Sequence, residues 1–278
     1  MQGQIIKISS NRHVVNSNGI NYNTIPRGKF RKEKIIPKVG DYVVFNEKSL
    51  VIEEVLPRKN TFNRPVVSNI DRAFIITSLV NPDFSLGLLD KFITHMELNN
   101  VDIVICLTKT DLVDNETYEK IKGIMVYYTN IGYRVLTNND IDKIKELIKD
   151  NTVVFIGQTG AGKSTLLNKL NPEWNLKTGE VSLALGRGRH TTRNVELYDF
   201  LDGKVLDTPG FSALDLSIYK KENIKYAFRE FSNYSCPFRD CSHTKEAECS
   251  IKKAVDDGKI LKSRYDSYLK FYEEAIKW

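Results

Sequence analysis

The stretch that decides the fold is Gly157-Gln-Thr-Gly-Ala-Gly-Lys-Ser164. It fits the pattern G-x-x-x-x-G-K-S, it follows the apolar run Val153–Ile156, and it opens the helical pattern Ser164–Leu170. Glycines let such a loop wrap closely, so that its backbone N–H groups point at phosphate oxygens. We therefore predict a nucleoside-phosphate site formed by Gly157, Gln158, Thr159, Gly160, Ala161, Gly162, Lys163, Ser164 and Thr165.

We predict phosphate contacts and Mg²⁺ binding for this loop and for a second motif further along the chain. Lys163 reaches the β- and γ-phosphates and assists their transfer, and Ser164 binds Mg²⁺. The tetrapeptide Asp207-Thr-Pro-Gly210 comes directly after the apolar strand pattern Lys204–Leu206. At that place Asp207 holds Mg²⁺, and the N–H of Gly210 meets the γ-phosphate.

A second motif, Thr108-Lys-Thr-Asp111, follows the continuous apolar run Val101–Leu107 and has the form [N/T]-K-x-D. The Asp111 carboxylate can accept hydrogen bonds from the ring N–H and the exocyclic amine of guanine. Adenine presents an acceptor in place of that N–H, and a wrong pairing leaves buried polar groups unsatisfied. The motif predicts GTP as the nucleotide, bound through Thr108, Lys109, Thr110 and Asp111.

The order of these motifs is unusual. Thr108–Asp111 precedes Gly157–Ser164, which precedes Asp207–Gly210, whereas ordinary GTPases begin with the phosphate loop. A parallel sheet places all three loops at the carboxyl ends of its strands whatever their order. The pattern therefore indicates a circularly permuted α/β domain whose γ-phosphate motif leads directly into the C-terminal segment.

The stretch Gly186–Arg193 is rich in glycine and arginine and is typical of a first switch loop. We expect Thr192, in preference to Thr191, to bind Mg²⁺. Phe211 stands where many GTPases have a water-orienting glutamine, so His190 is our candidate for that catalytic role. The alternative, that His190 contacts RNA or is merely exposed, stays open at this point, as does contact of the loop's arginines with phosphates or with RNA.

Three cysteines and a histidine fall within fourteen residues in the spacing C-x4-C-x-H-x5-C. Three thiolates and an imidazole complete a tetrahedral Zn²⁺ shell with no open position, which is typical of a structural metal. Three cysteines cannot pair completely as disulfides. We predict one structural zinc ion bound by Cys236, Cys241, His243 and Cys249.

The positive charge is concentrated near the N-terminus. The 278 residues carry a net charge of +6, but residues 1–65 alone hold 12 Lys and Arg against 5 Asp and Glu. Short apolar or β-branched runs alternate with turn residues there and predict an OB-type barrel, a common nucleic-acid binder. The predicted RNA contacts are Arg27, Lys29, Arg31 and Lys32.

Composition excludes several classes of protein. Hydrophobic residues are 41% and charged residues 27%, an ordinary globular balance, and four cysteines are too few for a disulfide scaffold. We expect no membrane span and, without an export signal, a cytoplasmic protein that acts as a monomer. Alternating apolar runs and helical patterns from Asp71 to about Ala213 predict a parallel sheet. The pattern over Ile218–Phe231 predicts a helix, and Pro57–Thr61 together with Arg64-Pro65 predicts a linker.

These motifs together resemble the circularly permuted ribosome-assembly GTPases of the RsgA (YjeQ) family over essentially the whole chain. The resemblance implies an N-terminal OB-type β-barrel, a central α/β circularly permuted P-loop GTPase domain and a C-terminal α-helical zinc-binding domain, which we place at residues 1–62, 63–213 and 214–278. It also implies a GTP hydrolase stimulated by the small ribosomal subunit, which binds the subunit's rRNA late in maturation. The family's Ser-Ala dipeptide, which braces the base, is absent near Leu136–Asn139, so we expect weaker guanine binding than in the family.

Two other functions fit the same residues. One is a GTPase that acts on another structured RNA, such as transfer RNA. The other is a binding protein that uses GTP only to set its conformation and scarcely hydrolyses it. Turnover stimulated by the small ribosomal subunit distinguishes our prediction from a GTPase that acts on another RNA. Single-turnover hydrolysis on the bound complex distinguishes both of these GTPases from a binding protein that scarcely hydrolyses GTP.

Overall fold

The computed structural model describes residues 1–174, 176, 195–207 and 214–276, apart from the side chains of Arg31 and Asp207. Its contacts form two compact units. The first contains Met1–Phe74 and Asn139–Ser212, and the second contains Ile75–Asn138 and Ala213–Trp278.

The strands and helices of the described residues are as follows. In chain order the strands are β1 (Gln2–Ser9), β2 (Arg12–Ser17), β3 (Ile20–Pro26), β4 (Tyr42–Asn46), β5 (Val51–Val55), β6 (Thr61–Asn63), β7 (Val66–Ser68), β8 (Arg72–Ser78), β9 (Asp102–Thr108), β10 (Arg134–Thr137), β11 (Thr152–Ile156), β12 (Glu196–Phe200) and β13 (Gly203–Asp207). The α-helices are α1 (Lys29–Lys32), α2 (Leu86–Glu97), α3 (Asn115–Asn130), α4 (Ile141–Ile148), α5 (Lys163–Leu170), α6 (Lys221–Ile224), α7 (Ser250–Asp256) and α8 (Lys262–Glu274).

The first unit opens with a five-stranded barrel. Strands β1, β2 and β3 form an antiparallel meander, β3 pairs in parallel with β5, and β1 pairs with β4 to close the barrel. Alternate side chains point inward, because successive residues of a strand face opposite sides of the sheet. The buried core is formed by Ile5, Val15, Phe30, Val43, Phe45 and Ile52. The predicted OB-type barrel is confirmed.

The predicted linker is wrong in part, because Thr61, Arg64 and Pro65 belong to an antiparallel hairpin formed by β6 and β7. The buried Lys38 ammonium holds this hairpin from outside it. It donates hydrogen bonds to Thr61 Oγ1 at 2.6 Å and to Asn63 Oδ1 at 3.0 Å. A donor so far away in sequence leaves no local signal in the hairpin itself.

The rest of the first unit contains the strand that leads to the phosphate loop. Strands β11 and β13 are parallel, as expected. Strand β12 departs from the expected parallel sheet, since it runs antiparallel to β13. The reason is the two-residue turn Leu201-Asp202, whose φ values of 48° and 58° suit a tight hairpin. Strand β12 also pairs with β1 of the barrel, at Lys7 and Glu196.

The second unit contains the parallel pair β9 and β10, with strand order β10-β9-β8, and the helices α2 and α3. The chain enters this unit within β8. The helix expected over Ile218–Phe231 is wrong, because short 3-10 turns around α6 replace it. Backbone groups of Tyr219 and Lys221 bond to Ile276 instead of continuing a helix. Among the described helices, none has the length and apolar character that a membrane span requires.

Candidate nucleotide and zinc sites

The phosphate loop joins the end of β11 to the start of α5. Gly160 and Gly162 have φ values of 81° and 94°, which glycine adopts without steric cost. Gly162 is the residue at which the chain turns into α5. The first N–H groups of a helix have no carbonyl partner within it, so this end of α5 suits an anion.

Lys163 is buried at the first position of α5. Its Nζ donates to the carbonyl oxygens of Gly157 at 2.7 Å and Gln158 at 2.6 Å, which draws the side chain back along the loop. Burial lowers the pKa of Lys163 to about 8. A phosphate beside the ammonium favours its charged form and reverses that shift, so the loop is suited to polyphosphate.

The residues predicted to bind Mg²⁺ come from neighbouring loops. Ser164 is buried on α5, and Asp207 ends β13, whose Leu206 pairs with Val154 of β11. The carboxyl ends of β11 and β13 are therefore adjacent, as the sequence predicts. The Asp207 side chain, Thr191, Thr192, His190 and Gly210 lie outside the described part of the chain.

The predicted base-reading motif, Thr108–Asp111, lies in the second unit and begins at the last residue of β9. Thr108 is buried, and its Oγ1 donates to the carbonyl oxygen of Thr77 at 3.4 Å. Lys109 has a φ of 57°, and its Nζ donates to the carbonyl oxygen of Asn81. Asp111 is exposed. This arrangement leaves the carboxylate accessible to a base.

The loop that lacks the Ser-Ala dipeptide lies beside this motif. Strand β10 is parallel to β9, with Thr137 opposite Leu107. The N–H of Asn138 donates to the carbonyl oxygen of Leu107 at 2.9 Å, which places this loop at the same strand end as Thr108.

The four predicted zinc ligands are brought together in the second unit, although the chain between them is irregular. One ligand atom from each of these residues, the sulfur of Cys236, Cys241 and Cys249 and a ring nitrogen of His243, lies within 4.8 Å of the other three. Cys236 Sγ is 3.9 Å from Cys249 Sγ, and the Nδ1 of His243 is 3.5 Å and 3.4 Å from these two sulfurs. Zinc bonds of usual length imply about 3.8 Å between two sulfurs and about 3.5 Å between sulfur and nitrogen in a tetrahedron. The donor set and its spacing therefore fit Zn²⁺.

Glu246 shapes the chain between these ligands. Its carboxylate accepts hydrogen bonds from the N–H of Ser242 at 2.7 Å, from the Ser242 hydroxyl at 2.8 Å and from the N–H of Thr244 at 2.9 Å. Burial opposes ionisation, but these donors and its own N–H lower the pKa of Glu246 to about 2. Sequence reasoning missed this residue because one glutamate among ligands has no diagnostic pattern.

One apolar side chain anchors the basic segment Arg27–Lys34 to the barrel. Phe30 lies in the barrel core, although charged residues surround it in the sequence. Arg27, Lys29 and Lys32 are exposed around it. The anchor fixes α1 on the barrel and leaves these cations at the surface, an arrangement suited to a polyanion.

Comparison with known proteins decides the family. The model of the RsgA GTPase family matches residues 55–217, and that of the RsgA N-terminal domain matches residues 2–50. The chain belongs to the RsgA GTPase family. The predicted GTP hydrolase class is confirmed by this match and the circularly permuted fold by the similar structure of YloQ, and the family implies GTP and Mg²⁺.

Relatives of the family match almost the whole chain. The small ribosomal subunit biogenesis GTPase RsgA of Latilactobacillus sakei is 46% identical over 98% of this chain and 95% of its own. The protein of the same name from Bacillus subtilis is 45% identical over 89% and 87%. Among solved structures, YjeQ from Thermotoga maritima has a TM-score of 0.85 at 33% identity, covering 98% of this chain and 97% of its own. YloQ, a circularly permuted GTPase, has a TM-score of 0.81 at 37% identity, covering 98% and 94%.

Proposed function

We propose that this GTPase binds the small ribosomal subunit and assists its late maturation, hydrolysing GTP with stimulation by the subunit. The observation that carries the proposal is the similarity over nearly the full length to proteins named as small ribosomal subunit biogenesis GTPases. The exposed cations around Phe30 support contact with rRNA. The function implies a cytoplasmic location, and we infer that the protein acts as a monomer.

We assign the nucleotide roles by motif. The loop Gly157–Thr165 holds the phosphates, Lys163 stabilises the charge that develops on them, and Thr108–Asp111 reads guanine. The adjacent strand ends of β11 and β13 support Mg²⁺ binding by Ser164 and Asp207.

The remaining roles in hydrolysis rest on sequence position. Thr192 completes the magnesium site, the N–H of Gly210 senses the γ-phosphate, and His190 orients the attacking water. Phe211 cannot take that last role because its side chain has no hydrogen-bonding group.

We assign rRNA binding, GTP hydrolysis and zinc binding to three different segments of the chain. Residues 1–62 hold rRNA through Arg27, Lys29, Arg31 and Lys32, and residues 63–213 bind and hydrolyse GTP. Residues 214–278 carry one structural zinc ion at Cys236, Cys241, His243 and Cys249, and the ligand spacing supports this assignment. When bound, zinc supplies folding free energy rather than chemistry.

The proposal is tested by nucleotide turnover with and without purified small ribosomal subunits. We expect GTP hydrolysis to rise severalfold or more with subunits and ATP hydrolysis to stay at background, since Asp111 satisfies two donors of guanine. Transfer RNA serves as the matched control. Equal stimulation by transfer RNA would favour a GTPase acting on another RNA, and no stimulation by subunits would contradict the proposal.

A further inference from the structure

The chain around two of the predicted zinc ligands is held by side chains that are not ligands themselves. Three successive carbonyl oxygens, those of Cys241–His243, each accept a hydrogen bond from a side chain of another element, and we call these three residues the ligand loop. Lys225 Nζ donates to the first carbonyl at 3.2 Å, the Tyr268 hydroxyl to the second, and the Tyr265 hydroxyl to the third at 2.8 Å. The direction of three peptide groups in an irregular segment is therefore fixed from outside it.

Both tyrosines come from one face of α8. Tyr265 and Tyr268 are three residues apart, a spacing that places side chains next to each other on a helix, and their rings stack with centroids 6.2 Å apart. Tyr268 is fully buried and Tyr265 is half-buried. Because water does not reach the buried ring, removal of the Tyr268 hydroxyl would leave the Ser242 carbonyl without a replacement donor, which is costly for a polar group.

The backbone of His243 needs such support. Its φ of 55° lies in the left-handed region, which is uncommon for a residue other than glycine and persists where the surroundings hold it. The Tyr265 hydroxyl bonds to the carbonyl of this same residue. The Phe231 ring meets its imidazole edge-on, with centroids 5.5 Å apart. The backbone and the ring of the nitrogen ligand are thus both fixed by residues outside the ligand set.

We propose that Tyr265 and Tyr268 are positioning residues of the zinc site, and that they raise its affinity by holding the ligand loop in the conformation that brings Cys241 and His243 to the metal. The inference rests on the zinc binding proposed above and adds the helix that orders the ligands. Zinc and α8 favour the same conformation of the loop. By linkage, each therefore strengthens the binding of the other to the loop by the same factor.

The test compares Tyr265→Phe and Tyr268→Phe with Tyr272→Phe in the full-length, zinc-loaded protein. Phenylalanine keeps the ring and removes only the hydroxyl. Tyr272 is the matched control, since it lies one turn further along α8 with its ring beside Lys221. Competition with a chromogenic chelator should show zinc affinity about 10- to 100-fold lower in the first two variants, the usual effect of changing groups that support metal ligands. The control should bind zinc as the unmodified protein does.

Urea unfolding of the same four proteins separates a positioning role from packing alone. If the two hydroxyls only fasten α8 to its neighbours, the free energy of unfolding falls while the zinc affinity stays unchanged. That result would overturn the inference, as would an equal loss of zinc affinity in Tyr272→Phe. An unmodified protein that binds no zinc at all would contradict the proposed zinc site itself, and the inference would fall with it.

Discussion

At the scale of single residues, burial sets the protonation of His95. Desolvation lowers its pKa from 6.5 to about 4, Asp215 opposes the shift, and Lys91 adds to it. Between pH 6.5 and about pH 4, His95 therefore binds a proton in the unfolded chain but not in the folded protein. Stability due to the neutral imidazole is complete above pH 6.5 and is lost as pH falls towards 4.

We expect His95 to account for about 2 kcal/mol of stability lost between pH 7 and pH 5, from a depressed pKa at about 1.4 kcal/mol per pH unit. Urea unfolding of the unmodified protein and of His95→Gln at both pH values measures this. The loss should be smaller in His95→Gln, which has no group that titrates in this range. The same loss in both proteins would show that other groups dominate.

We expect Asp111 to determine the choice of base. Asp111→Asn replaces a double acceptor by an amide, which can donate to the C2 carbonyl of xanthine but not pair with both donors of guanine. GDP affinity should fall about 100-fold, and the affinity for xanthosine diphosphate should rise. Competition against a labelled nucleotide measures both affinities, with Asp142→Asn on an exposed position of α4 as the control. Unchanged GDP binding would remove Asp111 from the base site.

Candidate nucleotide-binding residues can be predicted from the sequence because short local motifs identify them. Lys163 and Asp111 each stand in a short pattern whose chemistry depends on adjacent residues. Tyr219 and His95 are 124 residues apart, and their contact depends on how α2 and the C-terminal segment pack. No local periodicity marks such a pair, so only the folded chain reveals it.

At the scale of elements, the predicted zinc site depends on one loop that Glu246 shapes. Glu246→Gln keeps the side-chain size but replaces a charged acceptor with an amide, which weakens the hydrogen bonds from Ser242 and Thr244. We expect zinc affinity to fall about 10- to 100-fold, as is usual when groups that support metal ligands are changed. Competition with a chelator measures it. Glu248→Gln, at an exposed position, is the control, and equal affinities in the two variants would refute a supporting role for Glu246.

Predictability also varies among the elements. The continuous apolar run Val153–Ile156 identified β11, and the helical pattern Ser164–Leu170 identified α5, because their own side chains determine burial. The hairpin of β6 and β7 escaped prediction because its anchor, Lys38, lies outside it. The expected helix over Ile218–Phe231 failed because tertiary hydrogen bonds to Ile276 replaced helical ones.

At the scale of the whole molecule, the motif order determines how chemistry and binding are connected. Permutation makes Asp207–Gly210 the last nucleotide motif, so the chain continues from it into the C-terminal segment that contains the predicted zinc ligands. The excess positive charge lies in the barrel segment, and if this segment binds rRNA as proposed, neutralisation of phosphates makes the affinity depend steeply on salt. Ribosomal RNA that contacts both ends of the chain would favour one nucleotide state, and by linkage the nucleotide would change RNA affinity equally.

Co-sedimentation with purified small ribosomal subunits tests this central claim most directly. The full-length protein is compared in the presence of GDP and of a non-hydrolysable GTP analogue, at several salt concentrations. We predict tighter binding with the analogue by about tenfold, and weaker binding in both states as salt rises. Equal binding with GDP and with the analogue would contradict the account.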